Sequence, residues 1–307
     1  MVPSPLTRLV VLCGPTATGK TAAALVLAER LGAEIVAADS RTVYRGMDIG
    51  TAKPPREARA RIPHHCIDLA EPDETVTLAA YRQAAAGAIR GIRARGKVPL
   101  LVGGTGLYIR AVVDGFTIPA VPPDLTLRAD LERDEARAPG RLHARLQRVD
   151  PLAASRIHPH NVRRLIRALE VFAHTGRPIS ALQRRGDVAG DVVQVGLTLE
   201  REALYRRIDE RVDEQIRTGL VDEVHALLHR GVDPSLPSMQ GLGYKEIVPY
   251  LQGEMALAEA ITYLRRNTRR FAKRQYTWFR RDPRIRWLAA DGLSPEAISD
   301  ALGPMLE

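Results

Sequence analysis

Residues 9–21 read LVVLCGPTATGKT, an apolar run followed by the spacing G-x-x-x-x-G-K-T. The run from Leu9 to Cys13 predicts a short buried strand. The Ala- and Leu-rich stretch from Thr21 to Leu31 predicts a helix that ends at Gly32. A strand, a glycine-containing loop and a helix in this order predict a phosphate-binding loop at the start of an α/β sheet.

The predicted loop comprises Gly14, Pro15, Thr16, Ala17, Thr18, Gly19, Lys20 and Thr21. Its glycines allow backbone amides to surround phosphate oxygens, and the helix that follows adds the positive end of its dipole. We expect Lys20 to neutralise a phosphate oxygen and the Thr21 hydroxyl to hold Mg²⁺. The alternative is a glycine turn without a ligand. The pattern predicts affinity for a nucleotide or another polyphosphate, and it does not by itself predict hydrolysis.

Two further apolar runs predict strands of the same sheet. Ile35 to Ala38 ends at Asp39, and Val98 to Val102 leads into the turn Gly103 to Gly106. The stretch from Tyr81 to Arg95 between them predicts a helix. Strands that alternate with helices predict a parallel sheet flanked by helices, like that of P-loop NTPases. Ligands of such sheets bind beyond the carboxyl ends of the strands, so we expect the loop, Asp39 and the glycine turn to share one crevice.

The polar residues at these strand ends are candidates for chemistry. Asp39 is suited to hold Mg²⁺ through water or to accept a proton from a nucleophile, and its alternative role is that of a helix cap. The glycine turn offers Thr105 and free backbone amides to the same crevice. His64-His65-Cys66 and the pair His158 and His160 lack the ligand number and spacing of known metal sites, which disfavours a metal ion there.

The sequence predicts three parts. Residues 1–115 form the first part of the α/β core, 116–190 an all-helical insertion, and 191–307 the rest of the core with a basic C-terminal helix. The helical stretches of the insertion are Leu125 to Val149 and Asn161 to Thr175. Val192 to Leu199 returns the chain to the sheet as a strand. The later elements are helices over Arg201 to Arg217, Leu220 to Arg230 and Ala256 to Phe279, and a candidate edge strand over Ile285 to Leu288.

The composition is that of a globular protein. The chain has 307 residues, of which 45% are hydrophobic and 26% charged, and this excludes disorder as its main state. No apolar stretch approaches the length of a membrane span, and no secretory cleavage pattern follows the N-terminus. Cys13 and Cys66 stand alone, which is typical of a reducing compartment. We therefore expect a cytoplasmic protein.

The net charge of +9 is unevenly distributed. Between Tyr263 and Arg286, basic residues greatly outnumber the single acid Asp282, and aromatic residues are interleaved with them. A second cluster holds Arg163, Arg164, Arg167, Arg177, Arg184 and Arg185 against Glu170 and Asp187. Ordinary solvated arginine-rich helices are one explanation. Because arginine suits phosphate oxygens and aromatic rings stack on bases, RNA is the other.

The motifs together resemble the tRNA dimethylallyltransferases (tRNA isopentenyltransferases) of the bacterial type over nearly the whole chain. The zinc-finger extension of the eukaryotic relatives is missing. The resemblance rests on Gly14 to Thr21, Asp39 to Pro54, His64 to Asp68, Gly103 to Tyr108, Arg163 to Val171, Gly243 to Glu246, and Arg270 to Trp278.

This resemblance implies transfer of a dimethylallyl group from dimethylallyl diphosphate to the exocyclic N6 amine of the adenosine 3′-adjacent to the anticodon, position 37 of tRNA. It implies Mg²⁺ as the cofactor, the anticodon stem-loop as the partner, and a monomer as sufficient. The implied catalytic residues are Asp39, Thr105, Lys20 and Arg211. The implied tRNA-binding residues are Asp39, Ser40, Arg41, Thr42, Thr105, Arg128, Arg163, Arg164, Leu165, Ile166, Arg167, Gln240, Gly241, Leu242, Gly243, Tyr244 and Lys245.

Two other functions share part of the pattern. An ATP-dependent kinase of a small molecule or a nucleotide would use the same loop, Mg²⁺ and Asp39, but it would not need the basic C-terminal helix. A non-enzymatic ATP-binding RNA adaptor would use the basic helix, but it would not need a carboxylate base. The missing Asn-Lys-x-Asp motif disfavours a GTPase.

Overall fold

The computed structural model describes residues 8–115, 119, 121–183 and 190–306. The chain divides into two compact units, one formed by Met1–Val113 with Ala189–Glu307 and the other by Asp114–Val188. The strands are β1 Leu9–Cys13, β2 Ala33–Ala37, β3 His64–His65, β4 Val98–Gly103, β5 Val192–Thr198 and β6 Ile285–Ala289. The helices are α1 Lys20–Leu31, α2 Arg56–Arg61, α3 Leu78–Ala94, α4 Gly106–Val113, α5 Leu125–Arg137, α6 Arg141–Val149, α7 Pro151–Ala154, α8 Val162–Thr175, α9 Ile179–Leu182, α10 Arg201–Arg217, α11 Leu220–His229, α12 Tyr244–Leu251, α13 Leu257–Phe279 and α14 Pro295–Leu306.

The larger unit is built on one six-stranded sheet in the order β3-β2-β4-β1-β5-β6. All of its strand pairs are parallel, so the predicted parallel sheet flanked by helices is confirmed. The central strand β1 pairs with β4 on one side and β5 on the other. The phosphate loop therefore leaves the sheet at its centre, between the carboxyl ends of both neighbours.

All five residues of β1 are buried, because other elements cover the strand on both of its faces. Leu9, Val11 and Cys13 pack into a core with residues of α3, α4 and α11 to α13. Val10 and Leu12 point to the other face and pack with residues of α1, α10 and α14. Because successive side chains of a strand point to opposite faces, a strand covered on both sides shows a continuous apolar run.

Among its described residues, the smaller unit contains helices and no strand, and it has its own core. The predicted helical stretch from Leu125 to Val149 is two helices, α5 and α6, separated at Pro139 and Gly140. Gly140 has a φ of 90°, and the Glu135 carboxylate accepts hydrogen bonds from the amides of Gly140 (2.6 Å) and Leu142 (2.9 Å). The break therefore follows from a glycine turn whose free amides are satisfied by a buried acid.

Within the described ranges, no helix combines the length and the apolar composition needed to cross a bilayer.

Candidate active site

The phosphate loop connects β1 to α1. Gly14 has a φ of 134°, and a Cβ at this position would lie 2.6 Å from the carbonyl oxygen of Leu197 on β5. Only glycine fits there without displacing a strand. Inside the loop, the Thr18 hydroxyl donates to the Pro15 carbonyl at 3.0 Å, and the Lys20 ammonium group donates to the same oxygen. The Lys20 side chain thus lies against the phosphate loop.

Two cations share the space at this loop. Burial and the nearby Arg211 charge lower the pKa of Lys20 to about 8, and burial also lowers the pKa of Arg211. Arg211 reaches the loop from α10 and donates to the Thr16 hydroxyl at 3.3 Å. Two buried like charges at one loop are stabilised by an anion that binds there. Arg211, which the resemblance implies as a catalytic residue, therefore lies at the phosphate loop.

Asp39 and Thr105 lie at the ends of neighbouring strands, and Thr105 forms hydrogen bonds with the residues on either side of Asp39. Thr105 N donates to the Ala38 carbonyl at 3.1 Å, while the Thr105 hydroxyl accepts from Ser40 N at 3.0 Å. One carboxylate oxygen of Asp39 accepts from Arg41 N at 2.8 Å. In the described part of the chain, its second oxygen makes no hydrogen bond, so it is free to receive one from a ligand.

Gln275 on α13 is a site residue that the sequence analysis missed. Its Oε1 accepts from Thr16 N at 2.8 Å, and its Nε2 donates to the Gly104 carbonyl at 2.8 Å. A Cβ on Gly104 would lie 2.3 Å from that Nε2. This buried amide ties the phosphate loop to the glycine turn after β4. Gln275 lies within the stretch Arg270 to Trp278 that carries the resemblance, but no residue pattern marks it as a site residue. Its other signal is a position on the buried face, one turn after Ala272.

These residues line one cavity of about 320 Å³ in the larger unit. Its wall also contains apolar residues that were not predicted, including Ala24, Ile35, Val102 and Phe271. The predicted site residues that line the cavity are Thr16, Lys20, Thr21, Asp39, Ser40, Arg41, Thr42, Thr105, Arg211, Gln240, Gly241, Leu242, Tyr244 and Lys245. Phosphate loop, strand-end acid and the 240–245 segment therefore face the same space.

Gly243 is a predicted site residue that does not line this cavity. It has a φ of 91° and immediately precedes α12, and its amide donates to the buried Glu246 at 2.9 Å. The positive φ of the turn into α12 therefore explains why a glycine stands at this position.

The predicted tRNA-binding residues of the smaller unit differ in exposure. Arg163 and Arg164 are exposed, whereas Leu165 is fully buried in the core of this unit. Ile166 is nearly buried at the base of a groove between α5 and α8. A contact of RNA with the Leu165 side chain is thus not favoured because that side chain is fully buried, whereas the neighbouring Arg163 and Arg164 are accessible. Arg184 and Arg185 of the same predicted cluster lie outside the described residues.

Arg128 and Arg167 share one buried acid. Arg128 donates to Glu170 from Nε (2.7 Å) and Nη2 (2.9 Å), and Arg167 donates to it at 2.6 Å. Burial alone would raise the pKa of Glu170, but these hydrogen bonds hold it at about 2. Arg128 therefore joins α5 to α8, whereas Arg167 lies on the same helix as Glu170 and also donates to the Val121 carbonyl at 3.0 Å; the sequence analysis did not anticipate these structural roles.

The basic helix α13 has two kinds of arginine. Arg265 and Arg269 form ion pairs with Asp213 and Asp209 of α10. Another set is exposed and lines a surface depression of about 370 Å³ together with Trp278. Its cationic members are Arg270, Lys273, Arg274 and Arg281. These exposed cations of α13 and of the turn after it form no ion pair among the described residues.

The comparisons with known proteins cover nearly the whole chain. A family model described as IPP transferase matches residues 42–282, and one described as isopentenyl transferase matches residues 7–61. A tRNA dimethylallyltransferase of Pelotomaculum thermopropionicum is 51% identical over 97% of this chain and 96% of its own length.

Solved structures agree with this similarity. The tRNA isopentenylpyrophosphate transferase of Bacillus halodurans is 42% identical, covers 98% of this chain and 97% of its own, and has a TM-score of 0.71. A eukaryotic dimethylallyltransferase acting on tRNA is 28% identical with a TM-score of 0.82, and it covers 96% of this chain and 77% of its own.

Proposed function

The chain belongs to the family of tRNA dimethylallyltransferases, and we propose that it transfers a dimethylallyl group from dimethylallyl diphosphate to the exocyclic N6 amine of the adenosine at position 37 of tRNA, 3′-adjacent to the anticodon. One observation supports this most strongly: a single cavity is lined both by the phosphate loop with Lys20 and by the strand-end carboxylate of Asp39. The first suits a departing diphosphate, and the second suits an attacking amine.

The phosphate loop would stabilise the leaving group. An allylic carbon–oxygen bond breaks readily once the negative charge that collects on the diphosphate is neutralised. Lys20 and Arg211 supply two positive charges at the loop, and backbone amides before α1 supply aligned dipoles. Arg211 is already held at the loop by its bond to Thr16, whereas the Lys20 ammonium group would turn from the Pro15 carbonyl toward the diphosphate.

Mg²⁺ fits this site through Thr21. The Thr21 hydroxyl lines the cavity, and an oxygen ligand is what Mg²⁺ prefers. Among the described residues, no group of three or more His, Cys, Asp or Glu side chains could hold a metal ion. We therefore propose Thr21 together with oxygens of the diphosphate as its ligands, where the ion would add positive charge next to the leaving group.

Asp39 is proposed as the base. The adenine amine is a weak nucleophile because its lone pair is delocalised into the ring. The free oxygen of Asp39 would accept a hydrogen bond from the amine and take its proton as the new carbon–nitrogen bond forms. The adjacent Thr105 hydroxyl, which lines the same cavity, would help to orient the amine.

The tRNA would be bound by several surfaces. A base inside the anticodon loop has to leave its stack before an enclosed site can act on it. Gln240 to Lys245 would contact this base or its neighbours at the cavity. Exposed arginines of the helical unit, Arg163 and Arg164, and the exposed cations of α13 would contact phosphates. One chain carries all these groups, so we propose that a monomer suffices and acts in the cytoplasm, where its tRNA substrate is found.

A labelling assay tests this function. Radiolabelled dimethylallyl diphosphate is incubated with the protein and undermodified tRNA, and a parallel reaction contains γ-labelled ATP. Label should pass to tRNA only from the allyl donor. A tRNA with guanosine at position 37, which lacks a 6-amino group, is the matched control and should stay unlabelled. Transfer of the γ-phosphate from ATP would instead indicate a kinase, and tRNA retention without any transfer would indicate an adaptor.

A further inference from the structure

The Glu223 carboxylate on α11 collects four hydrogen-bond donors. Its Oε2 accepts from the amides of Asp48 and Ile49, both at 2.8 Å. Its Oε1 accepts from the amide of Gly50 at 3.0 Å and from the Tyr244 hydroxyl at 2.6 Å. We call this carboxylate and its four donors the Glu223 clamp. Three successive backbone amides on one carboxylate make a small anion-binding turn whose anion is part of the protein.

The turn that Glu223 holds is rigid in itself. Lys53 N donates to the Asp48 carbonyl at 3.0 Å, and Ala52 N donates to the Ile49 carbonyl at 3.0 Å. The Lys53 ammonium group is buried and binds Asp48 at 2.7 Å and Asp68 at 2.6 Å. Lys53 thus ties residues 48–53 together and also joins them to Asp68, and Glu223 holds the same turn from α11.

Tyr244 connects this block to the 240–245 segment. Its ring packs so closely on Gly50 that a Cβ there would lie 2.5 Å from ring carbons. Burial and the Glu223 charge raise the pKa of Tyr244, so its hydroxyl stays protonated and donates. Gln215 on α10 adds hydrogen bonds to the carbonyls of Ile49 (2.8 Å) and Gly50 (3.1 Å).

Both segments held by the clamp form the wall of the cavity. Gly50, Thr51 and Ala52 line it from one segment, and Gln240 to Leu242 with Tyr244 and Lys245 line it from the other. Glu223 lies outside that lining. Among the described residues, Glu223 forms no hydrogen bond with the phosphate loop or with Asp39. It can therefore affect the reaction only by positioning the wall of the cavity.

We propose that Glu223 is a positioning residue that fixes the wall against which the target nucleotide of tRNA is held. The inference rests on the proposed function and assigns a residue that acts on the tRNA side of the reaction. Four donors require an acceptor with four lone pairs, which a carboxylate provides. Glutamine would turn an NH₂ group toward two donors, and aspartate would be too short by one methylene to reach the turn.

The test is Glu223→Gln in the full chain. We expect the KM for tRNA to rise about tenfold, because at least one buried donor loses its acceptor and the wall shifts. The KM for dimethylallyl diphosphate and its affinity without tRNA should stay within about twofold, since the phosphate loop is held by other residues. In hydrogen exchange, the amides of Asp48, Ile49 and Gly50 should lose protection.

Glu34→Gln is the matched control. Glu34 is also a buried carboxylate of the larger unit, and it binds Arg95 at 2.6 Å and His65 at 2.7 Å, but it does not line the cavity. The Glu34→Gln variant should have a lower melting temperature without a selective change in KM for tRNA. Tyr244→Phe removes one donor, keeps the ring, and should raise that KM about threefold if Glu223→Gln does not fold.

The outcomes separate this inference from the proposed function. Wild-type protein that never labels tRNA would refute the function and the role of the wall in it. Normal wild-type transfer with an unchanged KM for tRNA in the folded Glu223→Gln and Tyr244→Phe variants would refute only the positioning role. An equal rise of that KM in Glu34→Gln would refute it as well, because the effect would then follow from stability alone.

Discussion

Binding of the allylic diphosphate should depend on pH through Lys20. Burial and Arg211 hold the pKa of Lys20 at about 8 in the free protein, so the side chain is about 90% protonated at pH 7 and about 10% at pH 9. A bound diphosphate favours the ammonium form and raises that pKa. Above pH 8, binding must therefore be accompanied by uptake of a proton.

The size of the effect follows from this linkage. If the bound state is fully protonated, the affinity changes with the protonated fraction of free Lys20, which falls about tenfold between pH 7 and pH 9. The affinity for dimethylallyl diphosphate should fall by the same factor, and it should continue to fall until the pKa of the bound state is reached. Arg211 stays charged throughout this range and does not contribute to the slope.

Calorimetry with dimethylallyl diphosphate in the absence of tRNA measures this directly. Titrations at pH 7, 8 and 9 in two buffers of different ionisation enthalpy give both the affinity and the number of protons taken up. Lys20→Arg is the control, because a guanidinium group keeps its charge and should give a flat profile. A flat wild-type profile, or an equal slope in Lys20→Arg, would refute the assignment of the titrating group to Lys20.

Three other outcomes are expected. Asp39→Ala should lower turnover at least about 100-fold while tRNA still binds in a filter assay, because only the proton acceptor is lost; unchanged turnover would contradict its role as the base. Replacing Arg270, Lys273 and Arg281 by glutamine should weaken tRNA binding and reduce the slope of log affinity against log salt by about 2. Replacing the ion-paired arginines of α13, Arg265 and Arg269, should mainly lower the melting temperature. An unaltered slope would mean that this face is ordinary surface. Gln275→Ala should lower diphosphate affinity about fivefold and leave tRNA affinity unchanged, because the loop loses its link to the glycine turn; equal losses for both ligands would point to general unfolding.

The parts of the fold that could be predicted are those that local sequence determines. The apolar run of β1, the loop after it and α1 are adjacent in the chain, and each has a pattern of its own. Asp39 could be placed at the cavity because parallel strands end at the same edge of the sheet. The short strand β3 was not predicted, since two histidines with half-buried side chains show no apolar run.

The parts that could not be predicted depend on partners far apart in sequence. Gln275 is 259 positions from Thr16, and Glu223 is 175 positions from Asp48. Neither pair leaves a local pattern. The pairing of the α13 arginines could not be predicted for the same reason. Arg265 pairs with Asp213 of α10, which lies 52 positions earlier in the chain, whereas Arg270 is exposed. The sequence gives the total charge, but it does not show which arginines form ion pairs.

The lining of the cavity favours a carbon electrophile over nucleotide hydrolysis. In both reactions negative charge builds on a diphosphate, so a phosphate loop with Lys20 serves either one equally well. What differs is the surrounding surface. The apolar side chains of Ala24, Ile35 and Val102 line the same space as the loop and Asp39. A phosphate or an attacking water molecule gains nothing from such a surface, whereas a five-carbon allyl group loses its hydration there and is shielded from water while its bond is broken.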